Sequence, residues 1–183
     1  MKKHVKKLLV LFLGIAMLCS IVGCSQAQSN PASKPLPWIE YDGLFETKDL
    51  ERAQGEIPFN ILLPDYISNE ENQVPLPSIR GPLRESQSSG EIVVEILYFL
   101  DPTQDNSGLI IITESERPID PADSENIIEI NGKSVVQWNG NFSLGPGFFF
   151  FFEDSGIYFV VELYYISYDE SIKILESMIK QAK

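Results

Sequence analysis

Residues 148–165 read FFFFFEDSGIYFVVELYY: five consecutive phenylalanines, a Glu153-Asp154-Ser155-Gly156 turn, then a second β-branched and aromatic run over 157–165. Short runs of this composition bounded by turn residues read as a β-hairpin rather than as helix. In an extended chain successive side chains point to opposite faces, so Phe148, Phe150 and Phe152 share one face and Phe149 and Phe151 the other. Two readings follow. Either the strand lies centrally in a sheet and is buried on both faces, with a helix covering one side. Or one face lines an apolar ligand groove or partner surface, because large exposed apolar patches mark such places.

Outward from this hairpin the same grammar repeats. Residues 127–130 and 134–138 flank Asn131-Gly132, the strongest two-residue hairpin signal. Residues 91–100 and 108–114 form another apolar pair around a polar loop. Residues 69–90 carry Pro75, Pro77 and Pro82 with serine clusters, which predicts a loop holding one edge strand at most. Residues 57–63 are a strand-like apolar run stopped by Pro64. Ahead of it, residues 47–54 predict a short helix capped by Thr47, with Asp49 and Glu51 in its first turn and Gly55 as its stop. The chain's end changes period. Ser167 and Glu170 form a capping box for a helix from Tyr168. Ile172, Leu175, Met178 and Ile179 fall on one side of it, and Lys173, Glu176 and Lys180 on the other. Glu176 and Lys180 are spaced for an i,i+4 ion pair. Strands in sequence with helices at both ends predict an α+β fold: a mainly antiparallel sheet, a short N-terminal helix and a C-terminal amphipathic helix packed on the sheet.

The N-terminal residues carry an address. Lys2, Lys3, Lys6 and Lys7 precede an apolar stretch over residues 8–22. A basic segment followed by an apolar one and a small residue is the grammar of an export signal, and the stretch is shorter than the about 20 residues a spanning helix needs. Ile21-Val22-Gly23-Cys24 resembles a bacterial lipobox: an aliphatic residue, a short one, glycine, then cysteine. The resemblance implies cleavage between Gly23 and Cys24 and a diacylglycerol (palmitate-containing) anchor on Cys24. Cys19, preceded by Ala16-Met17-Leu18, fails the pattern. Two acyl chains hold a protein stably, at about 0.8 kcal/mol per buried CH₂. Three segments are therefore expected: a lipoprotein signal peptide over 1–23, the lipidated Cys24 with a flexible tether over 24–37, and one globular domain over 38–183. The tether SQAQSNPASKPLP has a reach of roughly 20 Å. The expected location is the extracytoplasmic face of the cell membrane in a bacterial envelope. Ser25 is not the aspartate that retains lipoproteins in the inner membrane of double-membraned cells.

Processing at that point alters the charge. The chain holds 14 Lys+Arg and 26 Asp+Glu. Four lysines leave with the signal, so 10 against 26 remain and the side-chain charge is −16. Such a surface is repelled by phosphate backbones and anionic lipid, which argues against nucleic-acid binding. The signal also takes away the one histidine, His4, and Cys19. An intramolecular disulfide is then impossible, and the domain must be held by an ordinary core.

The order of elements resembles an uncharacterised family of domains in bacterial surface lipoproteins and anti-sigma-factor-like extracytoplasmic proteins. The likeness is carried by Pro58-Phe59, Leu63-Pro64-Asp65-Tyr66, the Ile130-Asn131-Gly132 turn, Tyr158, the Ser167-to-Glu170 cap and Glu176-Ser177, and it covers residues 44–179. The run of five phenylalanines departs from it. The resemblance implies an extracytoplasmic sensing or binding module and brings no catalytic residues.

Few chemistries fit the residues. Ser-His-Asp and Cys-His catalysis need a histidine base. Ser177-Met178-Ile179-Lys180 matches S-x-x-K, but its partner motifs are missing and it lies on an amphipathic helix. Asn131-Gly132-Lys133-Ser134 mimics the tail of a phosphate loop without the upstream glycine. Tetrahedral zinc draws on Cys and His. Calcium ligands are carboxylates and carbonyls, and two loops offer them: Asp101, Asp105 and Asn106, and Asp120, Asp123 and Glu125, neither with calcium-loop spacing. The expected function is a lipid-anchored binding or sensing module without catalysis and without cofactor. Its partners are the membrane through Cys24 and an envelope protein or small apolar ligand. The alternative is an envelope hydrolase using a carboxylate pair, for which the sequence singles out no residues.

Overall fold

The computed structural model describes residues 36–67, 75–87, 92–100, 108–119 and 126–181, all within one compact unit that begins at Leu36. Nine strands form a single sheet: β1 (Trp38–Tyr41), β2 (Leu44–Thr47), β3 (Ser78–Pro82), β4 (Val93–Phe99), β5 (Leu109–Ser115), β6 (Ile127–Ile130), β7 (Lys133–Phe142), β8 (Gly145–Asp154) and β9 (Ile157–Tyr164). Two helices accompany them, α1 (Leu50–Glu56) and α2 (Tyr168–Gln181). The spatial order is β1-β2-β3-β4-β5-β9-β8-β7-β6, and every neighbouring pair is antiparallel. The chain thus runs out to β5, moves to the far edge at β6 and folds back until β9 closes beside β5. This is the mainly antiparallel α+β arrangement expected.

Three hairpins turn on two residues with positive φ: Asp42-Gly43, Asn131-Gly132 and Ser155-Gly156. Positive φ at both central positions matches the right-handed twist of the flanking strands, and a glycine second makes it cheap. The Asn131-Gly132 hairpin was legible in the sequence. The first, joining β1 to β2, lies where no strand was expected.

Strand alternation divides the sheet into two faces. On the covered face Phe45, Ile79, Ile96, Ile112, Val161 and Phe150 are completely buried. They form one cluster with Ala53 of α1 and with Ile174, Leu175, Met178 and Ile179 of α2. Helix α2 begins as expected, with Ser167 Oγ accepting from the Glu170 amide at 3.3 Å. Its ion pair, however, is Lys173–Glu170 at 2.7 Å, not Glu176–Lys180. Helix α1 starts later than expected. Asp49 is its cap, accepting from the Arg52 amide at 3.1 Å, while Thr47 belongs to β2.

Two further expectations are corrected. Residues 57–63 are not a strand but part of a strap, residues 57–67, which crosses the covered face. Pro58 and Pro64 lack the donors a ladder needs, and side chains bind the backbone instead. Gln54 Nε2 donates to the Phe59 carbonyl at 2.6 Å, the Ile61 amide donates to Gln54 Oε1 at 2.8 Å, and Gln181 Nε2 donates to the Leu63 carbonyl at 2.9 Å. Ile57, Ile61 and Ile67 fill the core beneath. The single strand within 69–90, β3, is not at an edge: it is paired on both sides, with β2 and β4. Its prolines fall outside the ladder or at its last residue, Pro82, which is how an interior strand survives among them.

Candidate functional site

The opposite face of the sheet is the candidate site. Both helices and the strap pack on the covered face, and among the described residues no second layer lies over the other. Register places Val93, Leu97 and Phe99 of β4, Ile111 of β5, Val160 of β9, Phe149 and Phe151 of β8, and Trp138 of β7 on this open side. A sheet face facing water normally carries polar residues; this one is apolar across five adjacent strands. Phe99 is 53% exposed and Val93 43%.

The phenylalanine run divides only in part as its alternation requires. Phe150 and Phe152 are buried in the core and Phe149 points to the open side and is half-buried, but Phe151, on that same side, is 9% exposed, and Phe148, on the covered side, is half-buried. The strand is interior, as the first reading held, but helix and strap cover it on one side only. The open rings shelter one another. Trp138 stacks on Phe149 with centroids 5.6 Å apart, Phe142 lies 4.1 Å from Phe149, and Tyr164 meets Phe149 edge-on at 5.8 Å. Phe151 stacks on Tyr158 at 6.3 Å. Offset and edge-to-face contacts of this kind stabilise a cluster that no other layer supports.

Into this field a carboxylate is set. Glu162 stands on β9 directly opposite Phe149 on one side and Ile111 on the other. It accepts a hydrogen bond from Tyr164 Oη at 2.7 Å, and among the described residues no cation pairs with it. Burial, and then the Glu162 charge, push the Tyr164 hydroxyl above its ordinary value, so it remains the donor.

Towards β2 the open face deepens into a groove of about 530 Å³ lined by Leu76, Leu97, Phe99, Lys48, Arg80 and Glu46, among others. Arg80 Nε lies 3.1 Å from Glu46 and Arg80 Nη1 3.7 Å from Glu95. A hydrogen bond from Ser78, aided by Arg80, holds the Glu46 carboxyl below the usual range. A general acid needs the reverse. This group of charges is built as a salt-bridge cluster.

The carboxyl with the raised value is elsewhere. Glu114 of β5 points into the covered face, completely buried between its register partners Val94 and Phe159. Desolvation lifts it to about 8, against the opposing hydrogen bond from the Leu62 amide. That bond, 2.8 Å to Oε1, ties the strap to the sheet. Among the described residues, Glu114 Oε2 and the Tyr98 hydroxyl are buried without a hydrogen-bond partner. Glu114 is a single acid under a strap, remote in chemistry from a paired-carboxylate cleft.

The residues singled out in the sequence are mostly not brought together. Gly23 and Cys24 lie outside the described residues, as do Asp101, Asp105, Asn106, Asp120, Asp123 and Glu125. Among the described residues no three His, Cys, Asp or Glu groups stand close enough to share a metal ion. Ser177 Oγ donates to the Ile174 carbonyl at 2.7 Å and accepts from the Tyr66 amide at 3.3 Å, which spends it on structure. Asn131-Gly132 is a turn, and Lys133 pairs with Asp154. Glu162, Trp138, Phe142 and Tyr164 were missed. A signal existed: Glu162 is the lone charge in the apolar run 157–165. Comparison with protein-family models, with curated proteins and with solved structures finds no match to this chain.

Proposed function

We propose that this chain is a lipid-anchored extracytoplasmic binding module, held through Cys24, whose binding surface is the open face of the sheet. One observation carries the reading: a nine-stranded sheet with its core on one side presents a second apolar, aromatic surface that no described layer covers. A face of this kind needs an apolar partner to leave water, at about 25 cal/mol per Å². The aromatic cluster fixes its shape in advance, so little ordering is spent on binding. The export grammar of residues 1–24 and the turn-and-cap resemblance both support a surface-displayed module of this type.

The test uses the full chain in bilayer discs of zwitterionic lipid, exposed to a photoactivated hydrocarbon probe and analysed by mass spectrometry. Labelling is expected on Phe149, Trp138 and Phe99, with none on Phe150 or Ile96. Equal, background-level labelling of both sets would end the proposal.

A further inference from the structure

The open face also says what kind of partner it fits. Among the described residues its strands carry Glu46, Glu95, Glu129, Glu153 and Glu162 against Arg80, which Glu46 and Glu95 already engage, with Lys48 beside Glu46 at the groove. Most of these acids sit around the apolar field. Glu162 sits inside it, flanked by Phe149, Ile111 and Val160, with one tyrosine hydroxyl for company. A carboxylate in an apolar surround has lost part of its hydration, and an arriving cation restores that loss most fully.

We infer that the open face receives a basic amphipathic segment of another protein, with a Lys or Arg of that segment paired to Glu162 between Phe149 and Ile111. The inference rests on the open face being the binding surface and adds the chemistry of its occupant. Size supports a polypeptide over a small amine. The apolar field spans five strands, roughly 20 Å at the usual strand spacing, and an α-helix with its side chains is about 10–12 Å across. Charge disfavours the other occupants. A second copy laid face to face would oppose Glu162 and its neighbours to like charges. An anionic bilayer surface is repelled by the same carboxylates.

Two synthetic helical peptides with one shared Leu/Trp face, one carrying Lys and Arg on its polar face and the other Glu, are titrated against the full chain in zwitterionic discs. The basic peptide is expected to bind, to weaken as salt rises, and to lose about tenfold in affinity to Glu162→Gln. That variant keeps the side chain's size and an acceptor for Tyr164. The acidic peptide is expected not to bind. Equal affinity for both peptides, or indifference to Glu162→Gln, overturns the inference, as does a dimer abolished by Phe149→Ser. If neither peptide binds while the hydrocarbon probe still labels Phe149, the occupant is wrong and the binding surface stands. If the probe also fails, both fall.

Discussion

At the scale of the residue, the buried Glu114 ties stability to pH. Its carboxyl keeps a proton in the folded protein up to about pH 8, whereas an unfolded chain releases it near 4.5. Between those values the folded state binds the extra proton, so the contribution of Glu114 to stability is fully present below pH 4.5 and is lost as pH rises through the window. At about 1.36 kcal/mol per unit the loss is on the order of a few kcal/mol. Glu114→Gln keeps an acceptor for the Leu62 amide and cannot ionise. Urea midpoints at pH 5 and pH 9 should therefore differ markedly in the wild type and much less in the variant. A wild type equally stable at both would show that Glu114 is not buried as described. Nothing in the sequence marks this residue apart from other acids in strands. Its burial follows from a strap whose apolar composition is that of a strand, and the long-range bond from Leu62 is invisible to local pattern.

Among the elements, β8 offers a comparison within one strand. Phe149 and Phe150 are adjacent and chemically identical, yet Phe150 is fully buried against the helices while Phe149 is half-buried on the open side. Phe150→Ala should cost about 3–5 kcal/mol, the range for deleting a buried ring. Phe149→Ala should cost about 1 kcal/mol while lowering the affinity of the open face. Thermal melts of the two variants settle the order, and similar costs would mean that both faces are equally packed. The alternation that distinguishes them was readable from period alone. Which face the helix covers was not, because that depends on where α2 returns. Strands β1 and β2 were missed for another reason. Their four-residue lengths give alternation no room to register, and the Asp42-Gly43 turn between them was the better signal.

For the whole molecule, the acidic domain and the proposed anchor belong together. With residues 1–23 removed, as the proposal requires, the side-chain charge becomes −16 from 10 Lys+Arg against 26 Asp+Glu; such a chain has no electrostatic attraction to an anionic membrane, so acyl chains on Cys24 are the sole attachment the proposal provides. Cys24→Ser should move the protein from the membrane fraction to the soluble one, and palmitate labelling should vanish. Retention of the variant in washed membranes would sink the anchor. The fold class was legible because turns and periods report local geometry. The binding face was not, because an uncovered layer is a property of the complete sheet.

The late arrival of β9 has a consequence for biogenesis. In a polypeptide threaded outward amino-end first, β5 emerges about 40 residues before the strand that completes it, and the wait is the kind of loop closure that slows folding. Until then the edge of β5 away from β4 is a bare ladder of donors and acceptors, open to pairing with any other chain. Glu114, still hydrated and ionised at that stage, puts a negative charge on the side that will become interior. Such a charge deters intruders. Once Phe159 docks opposite Glu114 the charge is discharged by a proton, so the same side chain guards the nascent edge and then falls silent in the finished core.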